Sequence, residues 1–258
     1  MAGPSFSFNF ALQEGGADVS ASPAPKAATT AEPRGNTAAT PMRAGERFVW
    51  SPPAHSAAFS GVQVADMAFE IVNTTEAGFL AQTGAISSIL TTSDLQTGVY
   101  EGGFKLWECS VDLVTFIEAA LRREPGAKMP AARVVFMDYN KEVLELTTCP
   151  NVLRNVRGDM QLYAKASFYA GAWGSVSDCM QQVEQQPQED TLFDLILTAE
   201  TIYTEAVALE LYQVCSQVYV QHFVGLVEAD GVFRAETVWE ERDCRSNIRE
   251  IVQLTFAA

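Results

Sequence analysis

The stretch Ala132–Asp138, ARVVFMD, decides the fold, because it is a continuous apolar run that ends in an acid. Such a run is typical of a strand buried on both faces of a parallel sheet. Leu192–Leu197, LFDLIL, has the same character, and Gln161–Tyr169 alternates in places. Helical spacing of apolar residues marks Glu108–Leu121 and Glu205–Val218. Strands that alternate with helices predict an α/β fold with an open sheet.

Shorter elements fill the remaining chain. Asn140–Leu146 predicts a short helix that Pro150 stops. Val232–Trp239 and Ile248–Phe256 predict two late strands with no helix between them, which favours an antiparallel pair at the edge of the sheet.

The N-terminal part differs in composition from the rest. Residues 17–46 are rich in Ala, Pro, Thr and Ser, so burial cannot offset their ordering entropy, and we expect disorder. Phe6, Phe8 and Phe10 form either a short strand or docking motif, or a terminus without function. We therefore expect a tail over 1–60 and a domain over 61–258.

The charge of the chain limits its partners. The net charge is −15 and only 17 residues are basic, which argues against direct binding to nucleic acid. The acidity either attracts a basic protein or only keeps the chain soluble. MAGPSFSFNF has no signal-peptide pattern, and no apolar run is long enough for a membrane span.

The cysteines give no sign of a metal site or a disulfide framework. The five are widely spaced without a CxxC pair, and only His55 and His222 could add nitrogen ligands. Reduced thiols in a reducing compartment are the simplest interpretation. Two isolated histidines also argue against Ser/His/Asp catalysis.

Candidate site residues lie where predicted strands end and helices begin. Asp138 could accept hydrogen bonds from both ribose hydroxyls of a nucleoside, or only cap a helix. Trp107 and Glu108 stand at a helix entrance, although Trp107 alone is more often a core residue. Gly171-Ala172-Trp173 either lies against an adenine ring or is a packed turn. Glu200, after the LFDLIL segment, is the polar residue best placed for substrate.

Five segments together resemble the histidine protein methyltransferases. They are GVYEGGFKLWECS (Gly98–Ser110), VVFMDYN (Val134–Asn140), TTCPNVLRN (Thr147–Asn155), FYAGAW (Phe168–Trp173) and DLILTAETIY (Asp194–Tyr203). They cover most of residues 97–203 in order, and the opening FSFNF is similar as well. Related lysine methyltransferases share the WEC-type helix and the strand-end acid, but the tyrosine-containing string after the last of these strands favours the histidine branch.

The resemblance implies a seven-stranded, Rossmann-like fold that binds S-adenosylmethionine (SAM). It implies methylation of a histidine ring nitrogen on a ribosomal protein by a cytoplasmic and nuclear monomer, without a metal. Its cofactor contacts carry over to Leu106, Trp107, Glu108, Cys109, Ser110, Met137, Asp138, Tyr139, Gly171, Ala172, Trp173 and Ala199. Ala199 replaces a frequent serine of the family, and Glu200 would be catalytic.

One motif of that family is missing. The family has a strand and a glycine loop, LxLGCGxG, between the WEC helix and the DYN strand, whereas here only RREPGAKMPAA (Arg122–Ala132) separates them. A strand, turn and helix need about 30 residues. After Ser216 a second strand and glycine-rich loop are also missing, so we expect a sheet without the family's first and fifth strands. Both junctions fall at element boundaries, as in a splice form or an incomplete gene model.

Two functions therefore compete. The first is a SAM-dependent protein-histidine N-methyltransferase. The second is a catalytically inactive splice form or pseudoenzyme that binds proteins through its FSFNF tail and acidic surface.

Overall fold

A computed structural model describes residues 43–52, 57–96, 98–123, 131–184, 193–199, 201, 207, 233–241 and 249–256. Within them lie seven strands: β1 (Glu46–Phe48), β2 (Phe59–Val64), β3 (Met67–Val72), β4 (Val134–Asp138), β5 (Ala166–Ala170), β6 (Phe233–Glu241) and β7 (Arg249–Phe256). The α-helices are α1 (Phe79–Gln82), α2 (Ser87–Leu90), α3 (Glu108–Arg123), α4 (Lys141–Val143), α5 (Cys149–Asn155), α6 (Met160–Tyr163) and α7 (Trp173–Glu184). A 3-10 turn covers Gly84–Ile86, and a π-helical turn covers Leu144–Thr148.

The central sheet has the order β1-β5-β4. β4 and β5 run parallel with Asp138 opposite Ala170, and β1 pairs antiparallel with β5. One face packs Phe136 and Phe168 against Leu144 and Cys149, and the other packs Tyr169 against α7. Helices thus cover both faces, which confirms the α/β class and the strand at ARVVFMD. The wider Rossmann-like sheet and its missing strands stay predictions.

Two antiparallel hairpins complete the described elements. β6 pairs with β7, which confirms the predicted late pair. β2 pairs with β3, in a region where the sequence indicated no particular structure. Its edge is held by α5: Val72 N–H donates to Asn151 Oδ1 at 2.7 Å, and Arg154 binds both carboxylate oxygens of Glu70.

The Leu192–Leu197 strand is a wrong prediction. Residues 193–197 form no strand, and Leu195, Ile196 and Leu197 are each about half exposed. A buried parallel strand needs hydrogen-bonded neighbours, and no described strand pairs with this segment. The apolar run therefore lies at the surface.

Two boundaries also differ from prediction. Gln161–Tyr169 divides into α6 and β5, because Asp159 Oδ1 accepts from the N–H groups of Gln161 and Leu162 and so starts a helical turn. Pro150 does not stop the preceding helix, because the π-helical turn before it shifts the hydrogen-bond register.

Residues 43–46 have defined positions, with Glu46 opening β1, which corrects the disorder expected for them. β1 and part of β2 thus fall within the stretch assigned to the tail, whereas residues 1–42, including FSFNF, lie outside the described residues. So does the predicted Glu205–Val218 helix, apart from Val207, which is helical.

Candidate functional site

Asp138 stands at the carboxyl end of β4, where ligands of open α/β sheets bind. The residue is partly buried. Asn140 N–H donates to Asp138 Oδ1 at 2.7 Å, and Gly171 N–H donates to the Asp138 backbone carbonyl at 3.1 Å. The strand-end acid and the turn after β5 are therefore direct neighbours, as the sequence interpretation required.

A loop of residues 98–106, here called the diglycine loop, lies against this carboxylate. A Cβ atom on Gly103 would lie 2.5 Å from Asp138 Oδ2 and 2.7 Å from Val143 Cγ1. Real Cβ atoms do not approach that closely, so only glycine lets the loop backbone reach the acid.

Side chains from the DYN segment hold the diglycine loop in place. The fully buried Asn140 donates through Nδ2 to Val99 O at 2.8 Å and accepts from Glu101 N–H at 3.1 Å. Tyr139 Oη donates to Gly98 O at 2.9 Å. The motifs around Gly102 and Asp138 thus form one hydrogen-bonded unit.

Trp107 supports the loop from within the protein. Its indole is 8% exposed, and Nε1–H donates to Gly102 O at 3.0 Å. Gly102 has φ +84°, and the indole Cζ2 would lie 3.1 Å from a Cβ placed there. Trp107 is therefore a core residue, one of the two roles that the sequence allowed. Contact between its ring and a cofactor stays a prediction.

The pKa values of both acids of this site are raised, mainly by burial. Burial raises the pKa of Asp138 to about 7, with a further contribution from the Glu101 charge, while the Asn140 N–H bond and Arg43 oppose the shift. Burial also raises the pKa of Glu101, although its Oε1 accepts a 2.6 Å hydrogen bond from Gly98 N–H. Two desolvated acids side by side favour a ligand that brings hydrogen-bond donors or positive charge.

The turn after β5 is closely packed. Gly171 and Ala172 are both buried, and Gly171 has φ +131°. A Cβ on Gly171 would lie 2.6 Å from the carbonyl oxygen of Ala44. Trp173 opens α7 and is partly buried.

The other predicted residues scatter around this centre. Leu106 is exposed, while Cys109 and Ser110 lie in the first turn of α3. Glu108 pairs with Arg249 at 3.1 Å, and Met137 packs toward α7. Ala199 is partly buried at the end of the 193–199 segment, and Glu200 lies outside the described residues.

The sequence analysis did not predict four residues of this centre: Arg43, Glu101, Gly103 and Asn140. The Gly-Gly pair before the WEC helix and the DYN string were the available signals for three of them. Arg43 gave no signal, because it lies in a stretch with the composition of a disordered tail.

The described residues contain no group of His, Cys, Asp and Glu that could hold a metal ion. Over those same residues, no helix combines the length and apolar character that crossing a bilayer demands. Cys109, Cys149 and Cys179 are free thiols.

Comparison with known proteins gives a consistent set of relatives. The chain is 30% identical over 203 residues to the histidine protein methyltransferase 1 homolog of Dictyostelium discoideum, covering 65% of this chain and 62% of that protein. It is 30% identical to the Bos taurus homolog over 49% of this chain and 43% of that protein. It is 28% identical to histidine protein methyltransferase 1 of Schizosaccharomyces pombe over 43% of this chain and 47% of that protein.

The chain therefore spans between about two fifths and three fifths of the length of these curated relatives. No protein-family model matches it. The agreement of relatives from an amoeba, a mammal and a yeast confirms the resemblance drawn from the motifs. This chain is a relative of the histidine protein methyltransferases.

Proposed function

We propose that this chain is a SAM-dependent protein-histidine N-methyltransferase whose cofactor site lies at the carboxyl ends of β4 and β5. The observation that carries the proposal is the close approach of the diglycine loop to the Asp138 carboxylate, next to the Gly171 turn that bonds to the Asp138 backbone. Its relatives are named histidine protein methyltransferases, which supports the same reaction class.

The residues of the site fit a nucleoside sulfonium in two respects. A carboxylate only accepts hydrogen bonds, so Asp138 would hold the two ribose hydroxyls. Hydroxyl donors favour its ionised form and would offset the burial that raises its pKa. Asp138 and Glu101 together also suit a cation. When bound, SAM would supply the methyl group from a positively charged sulfur.

The chain's own contribution to the reaction would be positioning. Glu200 is proposed to orient the acceptor imidazole, with Ala199 beside the cofactor, and transfer requires an aligned, dry approach. The net charge of −15 supports a basic acceptor, and we propose a ribosomal protein. We propose further that the enzyme acts as a monomer in the cytoplasm or nucleus.

Calorimetric titration of the full chain with SAM tests the proposal. We expect saturable binding that Asp138→Ala abolishes, and unchanged binding in Asp66→Ala, which removes an exposed carboxylate from the turn between β2 and β3. Absence of binding by the unmodified chain, or equal binding by both variants, would refute this cofactor site.

A non-catalytic protein-binding module is the second candidate. The exposed apolar residues of the 193–197 segment favour it, together with the short Arg122–Ala132 junction in place of the glycine loop. Transfer of a labelled methyl group from SAM to ribosomal proteins separates the two: the module binds partners without label, whereas the enzyme labels a histidine.

A further inference from the structure

The segment Arg43–Gly45 packs against the turn that we assign to the adenine of the cofactor. Arg43 O accepts a 3.0 Å hydrogen bond from Ala172 N–H. Ala44 O lies 2.6 Å from where a Cβ of Gly171 would be, and Gly45 packs against the backbone of Ser175 in the first turn of α7. We call residues 43–45 the strap.

The strap is fastened at both ends. On one side, the Arg43 guanidinium donates to Tyr139 O and to Glu142 Oε2, each at 3.3 Å, and lies 5.6 Å from the centre of the Tyr139 ring. On the other side the chain continues directly into β1, which pairs with β5 from Glu46 opposite Ala170. The strap therefore joins the ends of both strands of the proposed site.

The strap takes up contacts at this turn that a bound base could otherwise use. A base that lay on the same side of Gly171 as Ala44 would meet the Ala44 carbonyl oxygen, and the Ala172 N–H already donates to Arg43 O. Ala172 is only 4% exposed with the strap in place. A ligand cannot use this donor while Arg43 O does, because one N–H group makes one strong bond.

From this exclusion we propose that the strap is an autoinhibitory cover, which competes with the adenine of SAM for the Gly171–Trp173 turn and must lift before the cofactor binds. The inference rests on the proposed function, since it concerns regulation of the same site. A closed cover lowers apparent affinity by the fraction of molecules that are open. Any partner or modification that draws the strap away would then raise SAM affinity.

Gly45 offers a direct way to release the strap. A Cβ on Gly45 would lie 2.1 Å from Ser175 O and 2.4 Å from the Ser175 carbonyl carbon, so Gly45→Ala cannot keep the observed contact. The matched control is Gly61→Ala, since a Cβ on Gly61 meets nothing within 4 Å. Arg43→Ala is a second, milder variant, because it removes only the side-chain bonds to Tyr139 and Glu142.

The experiment titrates SAM into the full chain and its variants, and follows exchange of the Ala172 amide hydrogen. We expect Gly45→Ala to bind SAM at least fivefold more tightly than the unmodified chain, to exchange the Ala172 amide faster, and to differ from Gly61→Ala in both respects. Arg43→Ala should change both in the same direction by less. If Gly45→Ala does not fold, the Arg43→Ala result decides alone.

Two negative results have different meanings. If the unmodified chain binds SAM and the released variants bind equally or more weakly, the strap is not a competitor, and the proposed function stands without it. If no chain binds SAM although Ala172 exchange shows release, both proposals are overturned. Unchanged Ala172 exchange in Gly45→Ala also overturns the cover, because the strap would not depend on that contact.

Discussion

Gly103 lies so close to Asp138 that an added Cβ would stand 2.5 Å from the carboxylate oxygen Oδ2. The contact joins two motifs that are 35 positions apart in the chain, and it makes the diglycine loop one wall of the proposed site. Burial is the main cause of the raised pKa of this acid.

Gly103→Ala should therefore damage the site directly. The methyl group would meet both Asp138 and Val143, so the loop must move away, at a cost of about 1–3 kcal/mol of unfolding free energy. We expect SAM affinity to fall at least tenfold, measured by calorimetry, while Gly61→Ala stays near the unmodified value. Equal affinity in both variants would show that the loop is no part of the site.

The raised pKa of Asp138 predicts how binding depends on pH. With a pKa of about 7, the carboxylate that accepts ribose hydroxyls is the minor form at pH 6 and the major form at pH 8. SAM binding should be about tenfold weaker at pH 6 than at pH 8, from the ratio of ionised fractions. Titrations at several pH values check this, and a flat profile would contradict a role for the ionised acid.

The same shift has the opposite effect on stability. Between its ordinary value of 3.8 and about 7, Asp138 holds a proton in the folded chain that the unfolded chain has lost. Its contribution is thus complete below pH 4 and declines as pH rises toward 7. Asp138→Asn should remove this decline, seen as a shallower fall in urea-unfolding free energy between pH 4 and 7. An unchanged slope would assign the dependence to other groups.

Asn155 gives a prediction outside the site. Its side-chain amide accepts from Glu70 N–H at 3.0 Å and donates to Glu70 O at 2.7 Å, as a neighbouring strand would. Asn155→Ala should lower the unfolding free energy by about 1–2 kcal/mol, because it removes these two bonds and the donation from Nδ2 to Asn151 O at 2.8 Å, all at an exposed position. Gln63→Ala is the control, since Gln63 bonds only to nearby Ala65 O within the hairpin. Equal denaturation midpoints for the two variants would contradict the strand-like role.

The sequence predicted the elements whose signal is local and missed those that depend on partners. Val134–Asp138 forms a strand because β5 pairs with it and side chains pack against both of its faces, although Val134 is exposed and the rest are only partly buried. LFDLIL has an equally apolar composition, yet no described strand pairs with it and it stays at the surface. An apolar composition favours a buried strand, but the strand forms only where another part of the chain pairs with it.

The site shows the same division. The sequence predicts Asp138 and the Gly171 turn as site residues, because ligands bind at the ends of strands and glycine allows close backbone approach there. Arg43 lies 96 positions from Tyr139, whose carbonyl it contacts, and nothing in the neighbouring residues signals that contact. Trp107 has a buried supporting position because of its contacts in the fold, among them the Nε1–H bond to Gly102 O, and its role at a cofactor stays a prediction.

Arg249 joins the β6–β7 hairpin to α3, the helix that begins at Glu108 in the WEC motif. Its guanidinium donates to Asp112 Oδ2 at 2.5 Å and to Glu108 Oε2 at 3.1 Å, two acids one turn apart on α3. The Arg249 side chain is only 19% exposed, so these bonds are screened less than surface ion pairs. Arg249→Gln would leave two partly buried acids without their cation.

We expect Arg249→Gln to lower the unfolding free energy by about 1–2 kcal/mol at low salt, and by less at 1 M salt, where charges are screened. Arg122→Gln is the control, because Arg122 also binds two acids, Asp66 and Glu118, but is 57% exposed. Exposed pairs contribute about 0–1 kcal/mol, so its loss should be smaller. Equal losses in urea unfolding would mean that the Arg249 pairs are no stronger than surface contacts, and that the hairpin is held to α3 by other means.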